Sequence, residues 1–185
     1  MSDDINAAAR GLGILGGAIT ALGGLSLGAG IAWETAFTDV LKTVNGTQEE
    51  LADIEQGLRR LATEDIALPV EDLAAIAASA GQLGIETPKV LAFTDVIARL
   101  GSTTDLAGEQ AAQSLARFAN ITQMSQDDFD RLGSTIAHLG NNFATTEAQI
   151  VDMALRLAGT GDLIGLTQDE ILAMSTALTL SLIHI

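Results

Sequence analysis

Large apolar side chains recur along the chain at i, i+3, i+7 and i+10, a spacing that places them on one face of an α-helix. This stripe predicts helices near residues 30–44, 48–63, 70–83, 88–100, 105–119, 126–139, 146–158 and from 168 onward. Four stretches carry it: Leu51, Ile54, Leu58 and Leu61; Leu73, Ile76, Ala80 and Leu83; Val90, Phe93, Ile97 and Leu100; Phe129, Leu132, Ile136 and Leu139. We therefore expect an all-α fold in which the last two stripes form much of the core.

The last two stripes coincide when Val90 is aligned with Phe129, and the segments that follow them align in the same register without a gap. A third copy begins at Thr167, where Ile171, Met174 and Leu178 repeat the stripe. A short hairpin cannot bury its apolar face alone, so tandem copies stack on one another. The fold class predicted is a stack of short amphipathic helical hairpins, each of roughly forty residues.

Helix starts are marked by a hydroxyl residue three positions before a carboxylate or amide, the arrangement of a capping box. Thr47, Ser125, Thr146 and Thr167 occupy the hydroxyl position, and Thr87 followed by Pro88 gives a fifth start. Glycines just beyond the stripes predict helix ends, because glycine readily adopts the left-handed conformation that closes a last turn. These glycines are Gly46, Gly84, Gly101, Gly140 and Gly159.

The N-terminal segment, residues 1–33, is rich in Gly and Ala and has no ionisable residue between Arg10 and Glu34. It is long enough to cross a bilayer, but its glycine content weakens both insertion and helix formation. Two glycine pairs spaced four apart, Gly13 with Gly17 and Gly24 with Gly28, would allow close helix–helix approach. We expect an apolar helix here, either a membrane-interacting one or one buried against the helices that follow. The acidic start of the chain argues against a signal peptide.

Composition narrows the function further. Nine Lys and Arg against 24 Asp and Glu leave a formal net charge of −15, which excludes nucleic-acid binding through a basic surface. The chain has no cysteine, so disulfides, thiolate nucleophiles and cysteine-bound zinc are excluded. Hydrophobic residues make up 48% of the chain but aromatic residues only 3%. This balance is typical of a helical domain and not of an all-β sandwich.

Motifs that could carry chemistry lack their required context. Gly11 to Gly16 match the dinucleotide pattern G-x-G-x-x-G, but no strand precedes them and no βαβ alternation follows. The acidic residues Asp127, Asp128 and Asp130 lack the glycine and glutamate of a calcium loop. His138 and His184 have no acidic partner at metal-site spacing, and no G-x-S-x-G nucleophile elbow is present. We therefore predict no catalytic residue, no cofactor and no metal, and expect that the protein is not an enzyme.

Three long phrases, residues 30–51, 78–122 and 127–159, resemble the core region of phage tail tape measure proteins, as does a Gly-rich stretch before a W-E-x-A-F phrase. The resemblance implies a structural virion protein in the lumen of the tail tube, made in the host cytoplasm, which sets tail length and leaves ahead of DNA. It implies as partners tail tube and tail-tip or baseplate proteins, tail assembly chaperones, the host membrane and further copies of itself, but no specific nucleic acid. The alternative is a membrane-active helical protein that inserts through residues 11–33.

The chain is short for such a role. A helix rises 1.5 Å per residue, so a tail of roughly 1,000 Å requires on the order of 700 residues. We therefore expect a fragment, with residues 34–179 forming a C-terminally truncated tape measure core. Residues 180–185 end the chain in LSLIHI, which one reading frame of the sequencing-library transposon end CTGTCTCTTATACACATC also encodes. We expect these residues to be adapter read-through.

Overall fold

A computed structural model of the chain describes residues 27–66, 68–106 and 108–183. The α-helices in these ranges are α1 Leu27–Thr43, α2 Gln48–Arg60, α3 Val70–Gln82, α4 Thr87–Thr103, α5 Gly108–Ile121, α6 Phe129–Asn142, α7 Glu147–Leu163 and α8 Gln168–Ile183. A π-helical turn, Leu61–Asp65, follows α2, and a 3₁₀ turn, Gln126–Asp128, precedes α6. No β-strand occurs in the described ranges, and the predicted all-α fold is confirmed.

The helices from α2 onward are arranged in two rows. Helices α2, α4, α6 and α8 pack on one another in succession, and α3, α5 and α7 form the second row. Contacts between the rows join helices that follow each other in the chain, including α3 with α4 and α7 with α8. This is the packing of tandem helical hairpins. The chain divides into two compact units between Thr35 and Ala36, and the second unit carries this stack.

Helix starts follow the capping signals closely. Thr47 and Thr146 form full capping boxes with Glu50 and Gln149. Thr167 makes the same reciprocal bonds with Glu170, at 2.8 Å and 3.3 Å. Ser125 departs from the pattern, because its hydroxyl accepts from the backbone N–H of Asp127, two residues on, and begins the 3₁₀ turn. Each such cap stabilises its helix by about 1 kcal/mol.

Helix ends depart from the glycine signals. Gly84 lies in the left-handed region, with φ of 82°, just beyond α3 as predicted. Three predicted ends are wrong, because Gly101, Gly140 and Gly159 lie inside α4, α6 and α7. Gly140 occupies a close contact instead, because a Cβ there would collide with the carboxyl group of Glu147. A Cβ on Gly101 would meet the carbonyl oxygen of Leu106 at an ordinary contact distance of 3.4 Å.

The core lies between the two rows of helices. Seven of the eight residues in the last two stripes are at most 4% exposed, while Leu139 is half-buried. The rings of Phe93 on α4 and Phe129 on α6 meet edge to face, with centroids 4.7 Å apart. Such aromatic pairs contribute about 1 kcal/mol beyond the area they bury. The two adjacent repeats are therefore joined directly through equivalent stripes.

Candidate functional site

Three equivalent turns follow the helices of the second row. The left-handed residues are Gly84 after α3, Gln123 after α5 and Gly165 after α7, with φ of 82°, 50° and 81°. In each turn the residue after the left-handed one bonds five residues back: Ile85 to Ala80 at 3.1 Å, Met124 to Ala119 at 2.9 Å and Leu166 to Gly161 at 2.9 Å. This six-to-one bond defines a Schellman motif. The three repeats therefore share the backbone geometry of their turns as well as their apolar stripes.

The interval between the second and third turns, Gln123 to Gly165, is longer than that between the first and second, Gly84 to Gln123. The added length lies in the second row, where α7 has 17 residues and α5 has 14. The same longer interval separates Phe129 on α6 from Ile171 on α8, so these two first-row residues occupy equivalent positions. Both side chains are buried at the start of their helices.

A polar side chain at one repeated position links a turn to the following repeat in three places. The Gln126 side chain donates to the carbonyl of Gly84 at 3.3 Å and accepts from the N–H of Glu86 at 2.9 Å. Gln168 donates to the carbonyl of Thr122 at 3.3 Å. Thr87, one repeat before Gln126, donates to the carbonyl of Asn45 at 2.6 Å. The starts of α4, α6 and α8 thus satisfy backbone groups of the preceding repeat.

Ion pairs repeat along the same edge of the stack. Lys89 on α4 pairs with Asp127 at the start of the next repeat, and Arg131 on α6 pairs with Asp169 at 3.0 Å. The two cations are not at equivalent positions: in the register that aligns Val90 with Phe129, Lys89 aligns with Asp128, and Arg131 lies about one helical turn further on. The hydrogen bond and charge of Asp127 raise the pKa of Lys89 above its usual value. Exposed pairs like these contribute little to stability, so we interpret them as fixing register between repeats.

The opposite edge of the stack has a cap that crosses between repeats. The carboxylate of Asp105, in the loop before α5, accepts from the N–H of Ala148 in the first turn of α7 at 3.1 Å. Partial burial would raise the pKa of Asp105, but hydrogen bonds from Thr146, Ala148 and neighbouring groups outweigh it and hold the pKa below its usual value. A carboxylate at a helix N-terminus also interacts favourably with the helix dipole.

The described residues offer little to support catalysis. A shallow groove of about 140 Å³ runs between α4 and α6, lined by residues that include Val96, Arg99, Asp130 and Gly133. Among the described residues no three His, Cys, Asp or Glu side chains come together as a metal site would require. His138 is paired with Asn142 on its own helix, at 3.2 Å. The described side chains along this groove pack α4 against α6.

Several sequence predictions fall on the N-terminal segment. Gly13, Gly17, Gly24 and the G-x-G-x-x-G motif lie outside the described residues, whereas Gly28 lies in the first turn of α1. Within residues 27–66, 68–106 and 108–183, no helix has the length and apolarity needed to cross a bilayer.

Acidic side chains outnumber basic ones on the stack. Six cationic side chains in the described ranges form ion pairs with Asp or Glu: Lys42, Arg59, Lys89, Arg99, Arg131 and Arg156. Because the chain has nine Lys and Arg against 24 Asp and Glu, this pairing leaves an excess of carboxylates. The surface therefore has a net negative charge.

The polar links between repeats were missed by the sequence reasoning, although a signal for them exists. Thr47-Gln48, Ser125-Gln126 and Thr167-Gln168 repeat a hydroxyl residue followed by glutamine at the start of α2, the 3₁₀ turn and α8. The hydroxyl was identified as a cap, but the role of the glutamine depends on the turn of a neighbouring repeat.

These features define the class of protein: a helical repeat protein whose ordered polar groups join one repeat to the next. Residues 55–181 match the family described as phage-related minor tail protein, and the chain belongs to that family. It is also 25% identical over 156 residues to the probable tape measure protein of Halomonas phage phiHAP-1. That alignment covers 78% of this chain but only 18% of the phage protein. No solved structure matches the chain.

Proposed function

We propose that this chain is structural, forming part of the helical body of a tape measure protein in the lumen of a phage tail tube. The observation that carries the proposal is the repeated polar link between hairpins, in which Gln126 and Gln168 hold the turns of the repeats before them. Such links order a stack along its length and require no reacting group. We assign the role to the core predicted at residues 34–179, and infer that it is not catalytic.

The net charge of −15 supports a place in the path of DNA. Affinity for DNA rises with the number of phosphates that Lys and Arg neutralise. A stack in which six of the cations are already paired with its own carboxylates would bind passing DNA weakly. We infer that the protein contributes to ejection by leaving the tube ahead of DNA, without recognising any sequence.

The partners we propose are those of a tail component. Tail tube and tail-tip or baseplate proteins would surround the assembled chain, and tail assembly chaperones would hold it in the host cytoplasm before assembly. Self-association is a further proposal. A contact with the host membrane during ejection is assigned to residues 11–33, and liposome flotation with and without residues 1–30 tests that assignment.

Tail length provides the test of this function. In a phage carrying the intact gene, deletion of one repeat, residues 87–125, should shorten the tail, as measured by cryo-electron microscopy. The expected change is roughly 60 Å if the repeat spans the tube as one helix, or about 10 Å if it remains a stacked hairpin. Replacement of the repeat by a second copy of residues 126–167 should preserve the length to within a few residues' rise. Tails of unchanged length after the deletion would contradict a measuring role.

A further inference from the structure

The last helix of the first row has an apolar face that its predecessors bury. Two stripe positions are equivalent in the four first-row helices: Ile54 and Leu58 on α2, Phe93 and Ile97 on α4, Leu132 and Ile136 on α6, and Met174 and Leu178 on α8. The first six side chains are at most 4% exposed. Met174 and Leu178 are 44% and 40% exposed. Helix α8 therefore carries the same apolar stripe, but its side chains at these two positions are much more exposed than those of α2, α4 and α6.

The turn before α8 shows the same difference. Gln126 bonds to the first turn and Gln168 to the second. Each glutamine belongs to the repeat that follows its turn. No described side chain bonds to a carbonyl of the third turn, around Gly165. In that turn Leu163 and Ile164 are 84% and 66% exposed, the largest exposures among the large apolar side chains of the described ranges. The turn carbonyls and Ile164, whose counterpart Thr122 is 5% exposed, are therefore open together on the last hairpin. Leu163 differs less, because its counterpart Ile121 is itself 41% exposed.

We propose that this open face, formed by Ile164, Met174 and Leu178, is a docking surface for one further helical hairpin of the same repeat type. The hairpin would place an apolar stripe against Met174 and Leu178. A glutamine or threonine at the start of its second helix would donate to the turn around Gly165, as Gln168 does to Thr122.

Three observations favour a hairpin of the same polypeptide over a second copy of the chain. The surface continues an interface that the chain already builds between its own successive repeats, with the same pairs of rows. Two copies would each bring a formal charge of −15, and like charges oppose association. The Halomonas phage relative, of which the alignment covers 18%, has ample length for further repeats. The inference does not depend on the proposed role in the tail.

Methionine oxidation tests the proposal in an extended chain. A second copy of residues 143–183 is joined after His184, in the register that relates Phe129 to Ile171, and the protein is treated with dilute peroxide. Oxidation rate follows exposure, so Met174 should form its sulfoxide at least about fivefold more slowly in the extended chain. Met124, which is 8% exposed, serves as the internal reference and should react equally in both proteins.

A matched extension carries Ile150→Glu and Ile171→Glu in the appended copy only, at positions fully buried in the chain itself. It should leave Met174 as reactive as in the unextended protein, while circular dichroism shows the original helices intact. Equal oxidation of Met174 with and without the intact extension would overturn the proposal. So would protection of Met174 that rises with the concentration of the unextended chain, because a second copy would then be the occupant.

Discussion

Gln126 holds the turn at Gly84 from the following repeat, donating to its carbonyl oxygen at 3.3 Å while accepting from the N–H of Glu86. The two residues of this link are far apart in the chain and belong to successive repeats. Helical repeats are usually described by their apolar faces, which tolerate small slips between neighbours. Because one side-chain amide bonds to two backbone groups of the neighbouring repeat, this link favours a single register between the two repeats.

Replacement of Gln126 by alanine should therefore destabilise the chain by about 1 kcal/mol, because two hydrogen bonds between repeats are lost. Urea unfolding followed by circular dichroism measures the change. Gln110, exposed on α5, provides the control: Gln110→Ala should alter stability by less than about 0.5 kcal/mol. Equal effects at the two sites would show that the link contributes nothing specific.

The equivalence of the two core stripes predicts equal sensitivity at Ile97 and Ile136, both fully buried. Ile97→Asp and Ile136→Asp should each lower the free energy of unfolding by about 4 kcal/mol, because each buries a charge without a partner. Ala92→Asp and Ser134→Asp, at exposed positions on the same helices, should cost less than about 1 kcal/mol. Thermal melts that fail to separate the two classes would refute the repeat register.

Two glycines of α7 should respond in opposite directions. A Cβ on Gly159 would meet nothing within 4 Å, so Gly159→Ala should stabilise the helix by about 1 kcal/mol. A Cβ on Gly161 would lie 2.7 Å from Cγ1 of the buried Ile171, so Gly161→Ala should destabilise by about 1–2 kcal/mol. Melting temperatures of the two variants check this, and a shift of the same sign in both would contradict the close packing of α7 on α8.

The three left-handed turns predict a stabilising substitution. Gln123 has φ of 50°, a conformation that costs a side-chain-bearing residue about 1 kcal/mol and glycine nothing. Gln123→Gly should raise stability by about that amount, to the level of its two glycine counterparts. Conversely, Gly84→Ala should lower it, although a Cβ there meets nothing within 4 Å. Denaturant midpoints that do not move in opposite directions would argue against the shared turn geometry.

Stability should fall in acid through the capping carboxylates. Hydrogen bonds from the backbone and hydroxyl of Thr167 lower the pKa of Glu170 below its ordinary 4.5, and those of Thr47 do the same for Glu50. A group with a depressed folded-state pKa stabilises above its unfolded pKa, and the contribution is lost as pH falls through the folded pKa. Melting temperatures should therefore drop below about pH 4.5.

The Glu50→Gln and Glu170→Gln double variant should show a shallower drop over that range, since it has two fewer groups to protonate. Gln110→Ala, at an exposed position of α5 that carries no ionisable group, is the control and should leave the pH profile unchanged. Parallel profiles for the double variant and the unsubstituted chain would exclude the caps as the source of acid sensitivity.

The sequence predicted what depends on local chemistry. Thr47, Thr146 and Thr167 begin helices because their hydroxyl groups and the residues three positions on act within one turn. Helix ends were harder, because a glycine serves equally for a left-handed turn and for a close contact. Gly84 does the first and Gly140 the second, and only the position of Glu147 tells them apart.

Features that join distant parts of the chain could not be predicted in the same way. Gln123 adopts the left-handed conformation although it is not glycine, so the sequence carries no glycine signal for this turn. Because α7 is longer than α5, the third repeat follows the second at a longer interval than the second follows the first. The apolar stripe that begins at Ile171 is nevertheless recognisable in the sequence. The contact of Gln126 with Gly84 required knowing which turns lie side by side.

The packing of each helix chiefly on helices one or two places away along the chain has a mechanical consequence. No strand or long-range crossing in the described ranges ties distant ends together, so force applied at one terminus is borne by a single hairpin at a time. Pulled from one end, such a stack would open hairpin by hairpin, each interface separating before the next.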